Sequence, residues 1–447
     1  MTAVENPYLV GNFGPVRDEV TALDLPVHGR LPEELDGRYI RNGPNPVDET
    51  DPATYHWFTG NGMVHGLRLR DGKAEWYRNR FVRGQETYAQ LGEPTPADPF
   101  DGAKWLGSPN TNVIGHAGKT FAIVEAGSVP VELSFELDTI GHTDFDGTLP
   151  YGFSAHPHLD PVSGELHTVA YWWGWGNQVQ YVRVGTDGRV NRTVDIPTTG
   201  SPMIHDTAFT DRYVLILDLP CAFDMEAAAS GARLPYRWQD DYPARIGLLP
   251  REGTAADVVW IEIDPCYVFH PLNAHDDADG NVVLDAVRHP KMFAAEVLGP
   301  NEGTPTLERW TLNPTTRTSS QVTISDRGQE FPRQNESLFG KYNRFGYAVS
   351  AGERLDPNAL LKHDLETGET LVHERPGVQH LEGVFVPREG ATAEDDGWIM
   401  AYAYDGTTDN GEVVVIDAQD FAAPPVARIE LPQRVPFGFH GNWVPES

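Results

Sequence analysis

Cysteine is nearly absent. The chain of 447 residues holds two, Cys221 and Cys266. Two cysteines cannot build a disulfide framework, so both are expected as reduced, buried thiols. Basic charge is also scarce, with 34 Lys plus Arg against 65 Asp plus Glu and a formal net charge of −31. So acidic a surface repels nucleic-acid phosphates and anionic lipid. Nucleic acid is excluded as a partner, and at most weak membrane association is expected. No block of about five or six like charges stands out, so the acid is spread over a solvated surface. No apolar run approaches the ~18 residues of a spanning helix. The opening "MTAVENPYLVGNFGPV" has neither the basic nor the apolar region of a signal peptide. These absences point to a cytoplasmic protein with no obligate protein partner evident. There is also no Gly-rich dinucleotide fingerprint, no H-E-x-x-H and no C-x-x-C.

Long helical periodicity is missing too. The best candidate is "DMEAAASGARL" (224–234). What the chain has instead is short runs of β-branched and aromatic residues, divided by turn dipeptides. Asp71-Gly72, Asp146-Gly147, Ser163-Gly164, Asp187-Gly188, Asp279-Gly280, Thr367-Gly368, Asp405-Gly406 and Asn410-Gly411 punctuate it. Such pairs supply the positive φ of tight hairpins. Strand-like segments flank several of them, for example "NVVLDAV" and "EVVVIDA", and "YVLIL" (213–217) has the length of a buried strand. With 44 Gly and 36 Pro, the pattern is all-β. The turns recur from 71 to 411 with no Pro- or Ser-rich linker, which predicts one continuous domain over 1–447. A β-propeller fits this size, with about six or seven blades of ~50–65 residues. Two separate β domains remain the alternative, because no crisp repeat is visible.

Sixteen histidines are spread over the chain. Four have distinctive surroundings: His156 in "FSAHPHLDP", His205 in "SPMIHDTAFT", His270 in "YVFHPLNAHDD" and His440 in "PFGFHGNW". Each sits in a short apolar or small-residue segment near a strand end. In a propeller, one residue from each of several blades can reach the central axis. Four neutral imidazoles meeting there would form a nitrogen-rich metal site. A lone histidine in an apolar strand is more often structural than a ligand, so spacing alone leaves this open.

These segments resemble the carotenoid cleavage oxygenase family, which includes apocarotenoid- and stilbene-cleaving dioxygenases and the retinoid isomerase of the visual cycle. The matching stretches follow the family's order. They are "GRYIRNGPNP" (37–46), "YHWFTGNGMVHGLRL" (55–69), "NTNVIGHAGKTFAIVEAG" (110–127), "AHPHLDPVSGELH" (155–167), "FHPLNA" (269–274), "EFPRQNE" (330–336), "VFVPREGATAEDDGW" (384–398) and "PFGFHGNW" (436–443).

The resemblance implies a seven-bladed β-propeller under a dome of loops and helices. On its axis it implies non-haem Fe(II) held by His156, His205, His270 and His440. Their neighbours His158 and His275 are then not ligands, and His65 is structural. Glu125, Glu330 and Glu382 match glutamates that accept from the ligands' other ring nitrogens, with His156 lacking such a partner. Thr111 matches a position whose methyl crowds one open site on iron. With four neutral ligands the ion keeps its full charge and two open positions. Both atoms of O2 can then go to the substrate with no added reductant.

The implied reaction is oxidative cleavage of a conjugated C=C bond of a carotenoid or apocarotenoid to two aldehyde or ketone products. An aromatic tunnel would suit such a substrate. Candidates for it include Trp57, Tyr171, Trp172, Trp173, Trp175, Phe437 and Phe439, with Phe58 and Phe269 as the chosen contacts. The alternative is a stilbenoid or phenylpropene. Family members acting on those tend to carry a lysine just before the glutamate that Glu125 matches, whereas here the position is Val124. A third reading, a propeller used as a binding module, predicts no metal.

Overall fold

The computed structural model describes residues 6–352 and 357–446. Residues 1–5, 353–356 and 447, part of the domain expected over 1–447, lie outside the described residues, as does the very start of the opening segment. Seven sheets of four to six strands follow one another along the chain, joined by one extra hairpin, Cys221–Phe223 with Tyr236–Trp238. The architecture is a seven-bladed β-propeller. Its ring is closed by the C-terminal strand Gly441–Pro445, which pairs antiparallel with Gly37–Pro44 of the first blade. The strand Val27–Gly29 in turn extends the last blade through Ala427–Glu430. Termini thus lock the ring in both directions.

Turn chemistry accounts for most of the hairpins. Asp71 and Gly72 both have positive φ, 50° and 68°, and join Gly62–Arg70 to Lys73–Phe81. Gly164, Gly188, Gly280 and Gly368 likewise turn with φ between 72° and 82°. Two expected turns differ. Asp146-Gly147 sits in a loop beyond the strand Thr139–His142 and joins no hairpin. Asn410-Gly411 opens the strand Asn410–Asp417. The turn there falls just before, ending at Asp409 with φ 51°. Gly411 is retained because a Cβ would lie 2.8 Å from the Gln433 carbonyl oxygen. The candidate helix shrinks to Met225–Ala229, capped by Asp224 Oδ1 accepting from the Ala227 N–H at 2.7 Å and ended at Gly231, φ 84°. Cys221 and Cys266 are both free and buried.

The blades bury apolar faces against each other. Strand Tyr213–Asp218, which contains "YVLIL", is buried at every position but its first. The inner strands place the chemistry. Asn112–His116 opens the second blade directly after Thr111, and Pro271–Asp276 the fifth directly after His270. His158–Leu159, Ala208–Phe209 and Gly441–Pro445 begin one to three residues after His156, His205 and His440. Successive blades therefore each deliver a residue to the axis from the start of the innermost strand.

Further histidines lie buried outside this axis group, among them His56, His65 and His380. Burial drives the imidazoles of His56, His65 and His380 down to about 3. The unfolded chain binds protons on them below about pH 6.5, whereas the folded chain does not until about pH 3. Their stability contribution is therefore full above pH 6.5 and is lost as the pH falls towards 3. Each contributes a slope on the order of 1.4 kcal/mol per pH unit in that window. The thermal midpoint is expected to fall steadily between pH 7 and pH 5. A flat profile by calorimetry would contradict this.

Candidate metal centre

His156, His205, His270 and His440 converge. One nitrogen from each lies within 4.8 Å of the others, and all four rings are buried. His156 Nε2 is 3.0 Å from His205 Nε2, which is 3.2 Å from His270 Nε2. His440 Nε2 is buried with no partner.

The outer nitrogens explain which way the inner ones face. His205 Nδ1 donates to Glu125 Oε1 at 2.6 Å, His270 Nδ1 to Glu330 Oε2 at 2.6 Å and His440 Nδ1 to Glu382 Oε1 at 3.0 Å. A neutral ring that donates from Nδ1 carries a lone pair on Nε2. Lone pairs facing one another at these distances repel unless a cation lies between them. Two nitrogens about 3.0 Å apart are also what adjacent ligands make around an ion at ~2.1 Å. The residues therefore fit a transition-metal ion bound by four neutral imidazoles.

Ionisation agrees with this at His156 and His440. Burial and the three neighbouring imidazoles push His156 well down, and burial takes His440 to about 4 despite Glu382. At His270 burial also lowers the ring, but the Glu330 charge outweighs it and the net direction is up. Burial raises the Glu330 carboxyl, yet His270 and His289 hold it well below the carboxylate range. Burial likewise opposes Glu382, which Arg333 and His440 bring to about 2.

Backbone strain aims two of the glutamates. Ala126 follows Glu125 at φ 61° and Phe331 follows Glu330 at φ 55°. Non-glycine residues avoid this region, at a cost of about 1–3 kcal/mol each, and such strain gathers at functional sites. At Phe331 the ladder slips between Glu330 and Arg333. The kink leaves the Phe331 ring stacked on His270, centroids 5.3 Å apart, and its N–H donating to Glu330 Oε2 at 2.6 Å.

A cavity of ≈ 1140 Å³ opens onto three of the four histidines, His205, His270 and His440. Phe58 and Phe269 line it edge to face, with centroids 5.8 Å apart, as do Trp57, Tyr171, Phe439 and Val124. Trp172, Trp173, Trp175 and Phe437 are not in its wall. Instead Trp173 stacks on Phe223, and Phe437 packs on Trp57 and Phe13. Thr111 also lines the cavity. Its hydroxyl donates to Asn110 Oδ1 at 3.0 Å, which leaves the methyl as its free face.

The outlying histidines fall where expected. His65 Nδ1 pairs with the Tyr77 hydroxyl at 2.8 Å inside the first blade. His275 packs edge-on to Tyr342. His158 Nε2 bonds Asp206 Oδ1 at 2.6 Å, and its ring stacks on Phe339. Among the described residues no glutamate serves His156, but the other oxygen of Asp206 lies 3.5 Å from its Nδ1.

Sequence reasoning missed four residues of this shell: Asp206, His289, Phe331 and Arg333. His289 Nε2 donates to Glu330 Oε1 at 2.6 Å, and Arg333 Nη1 pairs with Glu382 Oε1 at 3.2 Å. Phe331 and Arg333 stand inside "EFPRQNE", and His289 lies two residues beyond the strand-like run "NVVLDAV". Those were the available signals.

Comparison with known proteins agrees with the geometry. The family model for retinal pigment epithelial membrane protein matches residues 13–445. A carotenoid cleavage oxygenase of Mycobacterium tuberculosis is 48% identical over 99% of this chain and 98% of its own length. A carotenoid 9,10(9',10')-cleavage dioxygenase 1 of Arabidopsis thaliana is 33% identical over 98% of this chain and 90% of its own. Among solved structures, the lignostilbene dioxygenase of Pseudomonas brassicacearum superposes with a TM-score of 0.90 at 28% identity, covering 100% of both chains. A cobalt-substituted Synechocystis ACO gives 0.87 at 26% identity, covering 97% of each. With a family match over nearly its whole length and a relative identical at almost half its positions, the chain belongs to the retinal pigment epithelial membrane protein family of carotenoid cleavage oxygenases.

Proposed function

We propose that the chain is a non-haem Fe(II) dioxygenase that cleaves a conjugated C=C bond of a carotenoid or apocarotenoid with O2. The observation that carries this reading is a four-histidine centre exposed to a large aromatic cavity. Bound at His156, His205, His270 and His440, iron(II) would supply the activation of O2. One alkene and one O2 give two carbonyls, so atoms and electrons balance without a reductant or second cofactor.

The chain's own residues do the rest. Glu125, Glu330 and Glu382 fix the ligand tautomers and return negative charge to the centre. Phe58 and Phe269 offer edge and face to a flat polyene. The Thr111 methyl narrows the approach on its side, and apolar walls exclude water from the reacting bond. Loops 46–61 and 98–111 contribute much of the cavity wall, which supports the dome-like cover. The catalytic unit is one domain over 1–447.

The lignostilbene dioxygenase likeness favours a second reading, cleavage of a stilbenoid or phenylpropene. The wall of the cavity weighs against it. Val124 stands where an ammonium would meet a phenolate, and the cations in the wall are Lys104 and Arg233. Lys104 Nζ already serves the Leu149 and Pro150 carbonyls, each at 2.7 Å. Carboxylates of Asp48, Glu49, Asp51, Glu86 and Asp98 also line the cavity, which supports weak membrane contact at most. No helix among the described residues is long and apolar enough to cross a membrane. With both cysteines free, we place the protein in the cytoplasm.

The test is a product profile. Iron-loaded protein is incubated under ¹⁸O2 with an apocarotenal, a carotenoid and resveratrol, and products are read by mass spectrometry. Labelled aldehydes or ketones are expected from the polyenes, with little or none from resveratrol. Absence of iron by elemental analysis together with no cleavage of any alkene would sink the reading. Preferential cleavage of resveratrol would select the second.

A further inference from the structure

His289 stands out because the metal shell uses only half of it. Its side chain is 2% exposed and lines the cavity beside Phe269, with ring centroids 5.2 Å apart. Its Nε2 is committed to Glu330 Oε1 at 2.6 Å, while its Nδ1 is buried with no hydrogen-bond partner. Buried polar atoms are rarely left unpaired, and each such atom calls for an explanation.

The neighbouring polar groups cannot supply the partner. Glu330 spends one oxygen on His289 and the other on His270 Nδ1 and the Phe331 N–H. Thr111 is bonded to Asn110, whose amide serves the Phe58 and Gly60 carbonyls at 2.9 and 2.7 Å. Phe58, Phe269, Phe331 and Phe439, which also line the cavity, carry no polar side-chain atom.

The protonation pattern is fixed from the Glu330 side. An ionised carboxylate only accepts, so the hydrogen between it and His289 sits on Nε2. The neutral ring then presents an acceptor lone pair at Nδ1. A polyene alone has nothing to donate to it, whereas a hydroxyl has.

We propose that His289 Nδ1 is a specificity-determining subsite that accepts a hydrogen bond from a substrate hydroxyl, so that the protein prefers a hydroxyl-bearing conjugated alkene to its deoxy counterpart. The substrate class rests on the cleavage reading above, but the subsite is measurable by binding alone.

The experiment compares three ligands on the metal-containing protein under argon: an apocarotenal with a ring hydroxyl, its methyl ether and its deoxy analogue. Dissociation constants are read from quenching of tryptophan fluorescence. The wild type is expected to bind the hydroxylated ligand about 3–10-fold tighter than the other two, the range of one neutral hydrogen bond. His289→Leu is expected to abolish the ratio. His289→Gln keeps a donor for Glu330 but moves the acceptor, and is expected to narrow the ratio should the leucine variant not fold. Loss of metal or a uniform fall in kcat would be the mark of a merely structural role, and would leave the ratio unchanged. Equal binding of the three ligands by wild type overturns the proposal. So does a wild-type ratio persisting in either variant, which would move the hydroxyl elsewhere, for instance to the unpaired Glu125 Oε2. An intact, His289-dependent ratio with no carbonyl product under O2 would remove the cleavage reading and leave the subsite standing.

Discussion

Removing residues 436–447 is expected to leave a chain that neither folds nor holds metal. The segment carries His440, the strand that closes the ring and two buried phenylalanines, Phe437 at 1% and Phe439 at 6% exposure. Burying one such ring stabilises by about 1.5–3 kcal/mol. The pair alone thus approaches the net stability of a typical protein, about 5–15 kcal/mol. The loss also strips a partner strand from Gly37–Pro44 and leaves Glu382 without His440 Nδ1 and the Gly441 N–H. A soluble, cooperatively melting protein with full metal content after this truncation would refute the closure argument.

Cutting only 444–447 is the sharper case. Read from sequence, these residues look dispensable. In the structure Val444 pairs with Arg38 and packs against Gly115, where an added Cβ would lie 2.8 Å from a Val444 methyl. Glu446 pairs with Arg68, whose side chain is 2% exposed, and its N–H donates to the Asp36 carbonyl at 3.1 Å. Asp36 still faces Arg68 after the cut, at 2.6 Å. The expected cost is therefore about 1–3 kcal/mol, with fold and metal retained.

The second large effect separates the glutamates. Glu330→Gln is expected to lower metal affinity or kcat/KM by about 10–100-fold, the usual range for such partners of metal ligands. Both carboxylate oxygens of Glu330 accept from ring N–H groups, so an amide must turn its NH2 towards one of them. Glu125 differs, because its Oε1 serves His205 while its Oε2 has no partner. Glu125→Gln can keep its carbonyl on His205 and turn the amide away. Its loss is expected to be about tenfold smaller than that of Glu330→Gln. Metal content after dialysis and steady-state kinetics check both. Equal losses at the two positions would show that charge alone matters, not the number of accepted bonds.

Much of this was legible along the chain. Hairpins at Asp71-Gly72 and Asp279-Gly280 follow from local backbone preference, which needs no distant contact. The four histidines and three glutamates were legible because each lies in a short segment with unusual neighbours, and because those segments keep a family order. Asn410-Gly411 misled because a close approach by the segment around Gln433, not a turn, demands that glycine. The helix at 224–234 was overestimated because Gly231 ends it after little more than one turn.

What the sequence by itself determined was the blade-forming pattern and the residue types at the axis, since period and turn chemistry are written locally. Only the tertiary structure decided which second side chains Glu330 and Glu382 serve and what stands beside His156. Arg333 reaches Glu382, His289 reaches Glu330 and Asp206 joins His158 to the neighbourhood of His156. It also decided that the last strand belongs to the first blade. Those pairings join residues up to hundreds of positions apart in the chain. They exist only because seven sheets packed in a ring bring the starts of their innermost strands to one axis.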